Sequence, residues 1–367
     1  LGTNGGVKQA EVVQPNAREW IPLLDAIRGL AVLGIVLAHS YHASWISDKY
    51  NNSILRAWGS YVPLLNIGVP ILFWLSGLVI CNVLIRQHSL GIPGSYFVKR
   101  RMIRITPTWW FGIAFSIGVS ILTGVLHREQ PRLMSPIEWL TNLTYTPFIF
   151  KQYTEVGVGW TLFIEVQLYL SVISIVTIVK RIAKDNTHAL LGNVLLVTGL
   201  AGAIFGHHLD TGIWFTSWWP WFALGALNYL ASYRRCRQWP AMILAGCMLT
   251  CIPWNDLNHL TVLKAVILIA ITVSFHPRAG QKHFGIGKSL TFLGDLSYPY
   301  YLLHMPFVRH SNLFATFFDK LHLPFWFAYP VVVMLPMAFA CISKRMLDRI
   351  DKFLMATLLP NKVASGQ

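Results

Sequence analysis

Ten stretches of about 15–25 mostly apolar residues constrain this chain more than any other feature: 22–45, 63–86, 106–126, 157–179, 189–207, 213–231, 240–254, 260–276, 291–309 and 326–343. Runs of this length cross a bilayer as helices, because a backbone in hydrocarbon must satisfy its hydrogen bonds within its own segment. Composition agrees: 54% of the residues are hydrophobic, only 12% are charged, and the mean hydropathy is +0.50. A soluble domain carries about 25% charged residues. The expected fold class is therefore an all-α integral membrane protein, a bundle of about ten transmembrane helices. Residues 1–20 read as a polar, flexible tail, 21–345 as the bundle, and 346–367 as a basic tail. No internal repeat is visible, which disfavours an inverted-repeat transporter.

The formal charge of +15 would suit a nucleic-acid partner if the basic residues formed one patch. They instead sit between the apolar runs, so no nucleic acid is expected and the bilayer is the implied partner. With ten crossings both termini lie on one side, and Lys and Arg on that side outnumber those on the other by three to one. That bias predicts cytoplasmic termini. Lys264 falls near the outer end of its span, where its ammonium can reach the interface. The long outer connection, 127–156, has the mixed charges and prolines of a lid or a short surface helix. Five cysteines (Cys81, Cys236, Cys247, Cys251 and Cys341) lie in or beside apolar runs without a CxxC pair, and read as core residues. His207, His208 and Asp210 lack a fourth ligand, so no metal is expected. HExxH, P-loop, GxSxG and dinucleotide fingerprints are all missing from the sequence.

Within the first span, LLDAIRGLAVLGIVLAHSYH, Arg28 and His39 are eleven residues apart. At ~100° per residue both project from one helix face, about 16 Å apart along the axis. Asp25 lies three residues before Arg28 and can neutralise it. Ionisable residues inside a membrane mark function by default, although an ion pair plus a histidine bonded to a neighbouring helix is the plainer alternative.

Two further constellations carry chemistry. In FVKRRMIRITP, Arg101 and Arg104 are one helical turn apart and together suit a phosphate, as well as a positive-inside anchor. In GVGWTLFIEVQLYL, Glu165 lies inside a span and needs a partner; His39 is the expected one, a carboxylate at one ring nitrogen making the other a better base. Weaker candidates are Ser76, Trp160, Tyr301 and His304, the last as a residue lining a cavity. Buried charges in ten helices also suit a transporter or flippase, which is the competing function class.

In their order, these motifs resemble the membrane-bound acyltransferase 3 family from about residue 21 to 345. Leu24, Asp25, Arg28 and His39 are similar to its first signature, Arg101 and Arg104 to its RxxR pair, and Gly68–Gly77 to its GVxxFFxLSG segment. Trp160, Leu162 and Glu165 resemble W-S-L-x-x-E, and Leu293–His304 resembles LGxxSYxxYLxH. Pro70, Thr161 and Val166 depart from the pattern. The resemblance implies acetyl-CoA as donor and an extracytoplasmic carbohydrate, such as an O-antigen or exopolysaccharide, as acceptor. It also implies a multi-pass location in the bacterial inner membrane. By that resemblance His39, Glu165 and Arg28 are the catalytic candidates, while Arg101 and Arg104 with Arg28 hold the coenzyme. Asp25, Trp160, Ser76, Tyr301 and His304 would face substrate. Many relatives carry a fused SGNH hydrolase-like domain, so an acceptor domain is expected here as a separate periplasmic partner.

Overall fold

The computed structural model describes residues 21–41, 57–128, 130–183, 187–209, 214–232, 237–251, 288–311 and 324–359, together with 318, 321 and 322. The expected tail 1–20, the expected span 260–276 with Lys264, and Asp210 lie outside the described residues. Among the described residues the regular structure is entirely helical. The helices are α1 (Ile21–Tyr41), α2 (Val62–Leu65), α3 (Gly68–Ser89), α4 (Gly94–His127), α5 (Pro136–Leu143) and α6 (Gly159–Ile182). They continue with α7 (Thr187–Leu209), α8 (Trp219–Ser232), α9 (Trp239–Cys251), α10 (Lys288–Arg309) and α11 (Phe325–Leu358).

Among the described residues, six helices are long and apolar enough to cross a membrane: Pro22–Tyr41, Ala57–Gln87, Gly94–His127, Gly159–Ile182, Thr187–Gly206 and Tyr329–Leu358. The chain is a multi-pass membrane protein. Helices α8 and α9, with 14 and 13 residues, are too short to qualify. Helix α10 has the length but carries Asp295, Ser297, His304, Pro299 and Pro306, which lower its hydropathy. Two of its polar residues point inward, Ser297 and His304 being buried, while Asp295 is exposed.

Two helices outrun their expected spans. Helix α4 has 34 residues, about 51 Å at ~1.5 Å per residue, against a hydrocarbon thickness of ~30 Å. Its first turns therefore lift Arg101 and Arg104 onto the helix itself. Helix α11 likewise continues through Leu358 into the basic stretch read as a tail.

The centre of the bundle is the pair α1 and α10. An added Cβ at Gly29 would lie 2.6 Å from the backbone nitrogen of Gly294, and one at Gly294 would strike the Asp25 backbone. Only glycine on each side permits so close an approach, the usual device where apolar lipid gives helices no hydrophobic reason to associate. Ten residues further along both helices, His39 meets His304. Equal steps in the same sense mean that α1 and α10 run parallel. Val32, Ile35, Val36, Tyr300, Tyr301, Leu302 and Leu303 are buried together around this pair. A second close crossing joins α3 and α8, where Gly77 and Gly225 each lie against the other helix's backbone.

The stretch 127–156 contains the expected short helix, α5. Ser135 and Glu138 form its capping box, and Arg132 donates to the Glu138 carboxylate at 2.5 Å. The Ser135 backbone N–H, and then Arg132, hold the Glu138 carboxyl below its ordinary value of 4.5. Asn142 braces the following loop: its amide donates to the carbonyls of Glu138 and Tyr153, and its oxygen accepts from Glu155 N–H. This loop delivers the chain to α6 close to α10: Arg309 donates to the Glu155 carbonyl at 2.6 Å and to the Tyr153 hydroxyl.

Candidate active site

The ionisable residues of the first span fall into two clusters, one at each end of the α1–α10 pair. At the first end, Arg28 donates to Asp25 across one turn of α1 at 2.9 Å, and both side chains keep part of their surface exposed, 31% and 24%. The pair is as expected from its spacing. Arg28 lies within electrostatic reach of Arg101, Arg104 and Glu165, and Asp25 within reach of Arg104 and Asp295. Three guanidinium groups from two helices therefore share one neighbourhood. Arg101 sits over two aromatic rings, 5.5 Å from the Phe97 centroid and 5.7 Å from that of Tyr169. Arg104 is exposed and forms no ion pair among the described residues. Like charges gathered this way are stabilised by an anion, and the planar forks suit phosphate.

Glu165 belongs to this end. Its carboxylate accepts a hydrogen bond from the hydroxyl of Tyr169, one turn later on α6. The expectation that Glu165 orients His39 is therefore corrected. The physical reason is local: residues four apart share a helix face, so the phenol of Tyr169 reaches the carboxylate without any tertiary adjustment. The fully buried Tyr169 ring then links Glu165 to Arg101.

At the other end the partner of His39 is a second histidine. His39 Nδ1 lies 2.8 Å from His304 Nε2, with the ring planes 15° apart and their centroids 5.1 Å apart. His304 is completely buried, so it does not line an open cavity. Its Nδ1 lies 2.6 Å from the carbonyl oxygen of Tyr301. The Tyr301 ring is 5.8 Å from that of His304, and its hydroxyl is 3.1 Å from Thr161 Oγ1. Thr161 donates to the Val158 carbonyl at 2.8 Å, so its oxygen accepts from Tyr301. Threonine in place of the family's usual serine keeps the hydroxyl that this chain of bonds needs.

Two sequence candidates join neither cluster. Ser76 sits on α3 beside Gly77 and has no hydrogen bond to a residue of either cluster. Trp160 packs its ring on Trp218 at 5.3 Å, and Trp218 packs on Phe73 at 5.1 Å, in an aromatic group between α6, α3 and the start of α8. Conversely, sequence reasoning missed Asp295, Thr161 and the buried Glu155, whose carboxylate accepts from Ser116 at 2.8 Å. Asp295 was the readable one, since it lies in the same motif as His304 nine residues earlier.

The acyltransferase domain of the acyltransferase 3 family matches residues 21–345. The chain belongs to that family. It is 22% identical to the O-acetyltransferase OatA of Staphylococcus aureus strain NCTC 8325, over 94% of this chain and 59% of that protein. The chain thus spans about three-fifths of the length of that relative. It is also 22% identical to Nodulation protein 10 of Rhizobium leguminosarum bv. viciae, over 93% of this chain and 95% of that one. No solved structure matches it. In this acyltransferase 3 chain His39 meets a histidine 265 positions further along, which sequence order alone does not require.

Proposed function

We propose that this chain is a membrane O-acyltransferase that takes an acetyl group from cytoplasmic acetyl-CoA and passes it to a hydroxyl of an extracytoplasmic carbohydrate, such as an O-antigen or exopolysaccharide, across the bacterial inner membrane. The observation that carries this reading is the separation of two chemistries along one pair of parallel helices, arginines at one end and an imidazole pair at the other. Membership of the acyltransferase 3 family supplies acyl transfer, and the name of its OatA relative suggests an O-acetyl product. The distribution of Lys and Arg supports placing both termini, and hence the arginine end, in the cytoplasm. Parallel α1 and α10 agree with a topology in which the first and ninth of about ten spans run the same way.

In this reading Arg101 and Arg104, with Arg28, hold the coenzyme phosphates, and Glu165 serves them by fixing Tyr169 beneath Arg101. The thioester is carried on its long arm across the ~16 Å of helix to His39. His39 takes the proton from the acceptor hydroxyl as that oxygen attacks the thioester carbonyl. The tetrahedral intermediate collapses, the C–S bond breaks, and the departing thiolate receives the proton from His39.

The test is release of free CoA from acetyl-CoA by detergent-purified protein supplied with acceptor. His39→Ala should abolish it while the protein elutes and melts as the parent does. Undiminished release by that variant would end this reading.

A further inference from the structure

We infer that His304 is the positioning residue of His39: it dictates which ring nitrogen of His39 carries the proton and so which one can act as the base. The inference rests on the proposed role of His39, and it follows from the direction of three hydrogen-bonding groups in a row. The Tyr301 carbonyl oxygen can only accept, so the His304 nitrogen 2.6 Å away, Nδ1, carries a hydrogen and donates it. A neutral imidazole has one N–H, so His304 Nε2 is left as an acceptor. A second proton on this ring would leave an uncompensated charge in a site with no solvent exposure, since no carboxylate among the described residues bonds it. His39 Nδ1, 2.8 Å from that acceptor, must then be the donor. The basic lone pair of His39 is consequently on Nε2.

This order of bonds does the work that a carboxylate does in a serine-protease triad, holding the ring and selecting its tautomer. It does so with a neutral partner. The difference has a physical consequence: a buried carboxylate would attract the imidazolium that forms during proton transfer, whereas a neutral imidazole supplies an acceptor without adding a charge to the membrane interior. The positioning is itself supported. The parallel approach of α1 and α10 at Gly29 and Gly294 sets the register that brings the two rings together. The Tyr301 hydroxyl, donating to Thr161, ties the same turn of α10 to α6.

The experiment uses the full-length protein with histidine labelled by 15N in both ring positions. In the parent, the His39 resonances, assigned by their loss in His39→Ala, should show the proton on Nδ1 and an unprotonated Nε2. In His304→Ala they should move toward the Nε2-protonated form, and kcat for CoA release should fall roughly hundredfold, within the range of a general base, at little changed KM for acetyl-CoA. His304→Gln offers a side-chain oxygen where His304 Nε2 stood and should recover much of kcat. A His39 ring protonated on Nε2 in the parent overturns the inference, and that reading needs no variant to fold. Unchanged kcat in His304→Ala also overturns it. Undiminished CoA release by His39→Ala would instead remove the base role itself, and the tautomer measurement would still stand on its own.

Discussion

At the scale of single residues, the two ends of α1 ask different things of their side chains. At the arginine end the requirement is positive charge in a forked, planar form, since Arg28, Arg101 and Arg104 share one neighbourhood and, among the described residues, Arg28 alone of the three forms an ion pair. Replacing Arg101 or Arg104 by alanine should weaken acetyl-CoA binding by roughly 10- to 100-fold, the equivalent of ~1.5–3 kcal/mol for a charge-assisted hydrogen bond. Lysine at either position should recover only part of it, because a point charge lacks the fork. Calorimetric titration of the purified variants measures this, and unchanged affinity would leave both arginines as topology signals alone. Of these residues, the sequence made Arg28, Arg101, Arg104 and His39 readable by spacing and cost in a membrane. It made Glu165 readable as a residue needing a partner, but the partner depended on which helix face each residue shares. Tyr169 satisfied it from one turn away, leaving His39 to His304, 265 positions along the chain.

At the scale of elements, the activity depends on how closely α1 and α10 can approach. Their backbones meet at Gly29 and Gly294, and a methyl group at either site would overlap main chain, which cannot move aside as the tip of a flexible side chain can. Gly29→Ala should therefore lower stability by about 1–3 kcal/mol, the range for overpacking a filled interior. The same change should reduce CoA release, since it levers apart the helices that hold His39 against His304. A thermal melt paired with the activity assay checks both effects; full activity would mean that the register of the imidazole pair tolerates the displacement. Helix α5 shows a complementary case. A short helix there was legible from the mixed charges and prolines of 127–156, and its start is local chemistry, Ser135 and Glu138 forming a capping box. The anchoring of the next loop through Asn142, Tyr153 and Arg309 was not, because it joins α4, α5 and α10 across long separations.

At the scale of the whole molecule, the separation of charge along the chain becomes a direction across the membrane. If both termini are cytoplasmic, a cysteine placed at Lys99 should react with a membrane-impermeant thiol reagent only in inverted vesicles. One placed at Arg132 should react only in intact cells stripped of their outer barrier. Labelling carried out in a background without the five native cysteines reads this directly, and the opposite pattern would turn the donor and acceptor ends around.

The apolar periodicity of the chain, by itself, determined that it is helical and built for a membrane, because hydrocarbon leaves a backbone no other way to bond its own polar groups. Local spacing determined the Asp25–Arg28 pair, the double-arginine turn and the cap of α5, since each is made by residues within one turn of helix. Tertiary structure alone decided the rest. It decided that α10, expected from the sequence only as one span among ten, is the helix against which α1 lies, with Ser297 and His304 buried between the helices. It decided, too, that the histidine at the end of α1 is oriented by another histidine and not by a carboxylate, because only the parallel packing at Gly29 and Gly294 brings those two rings to 2.8 Å.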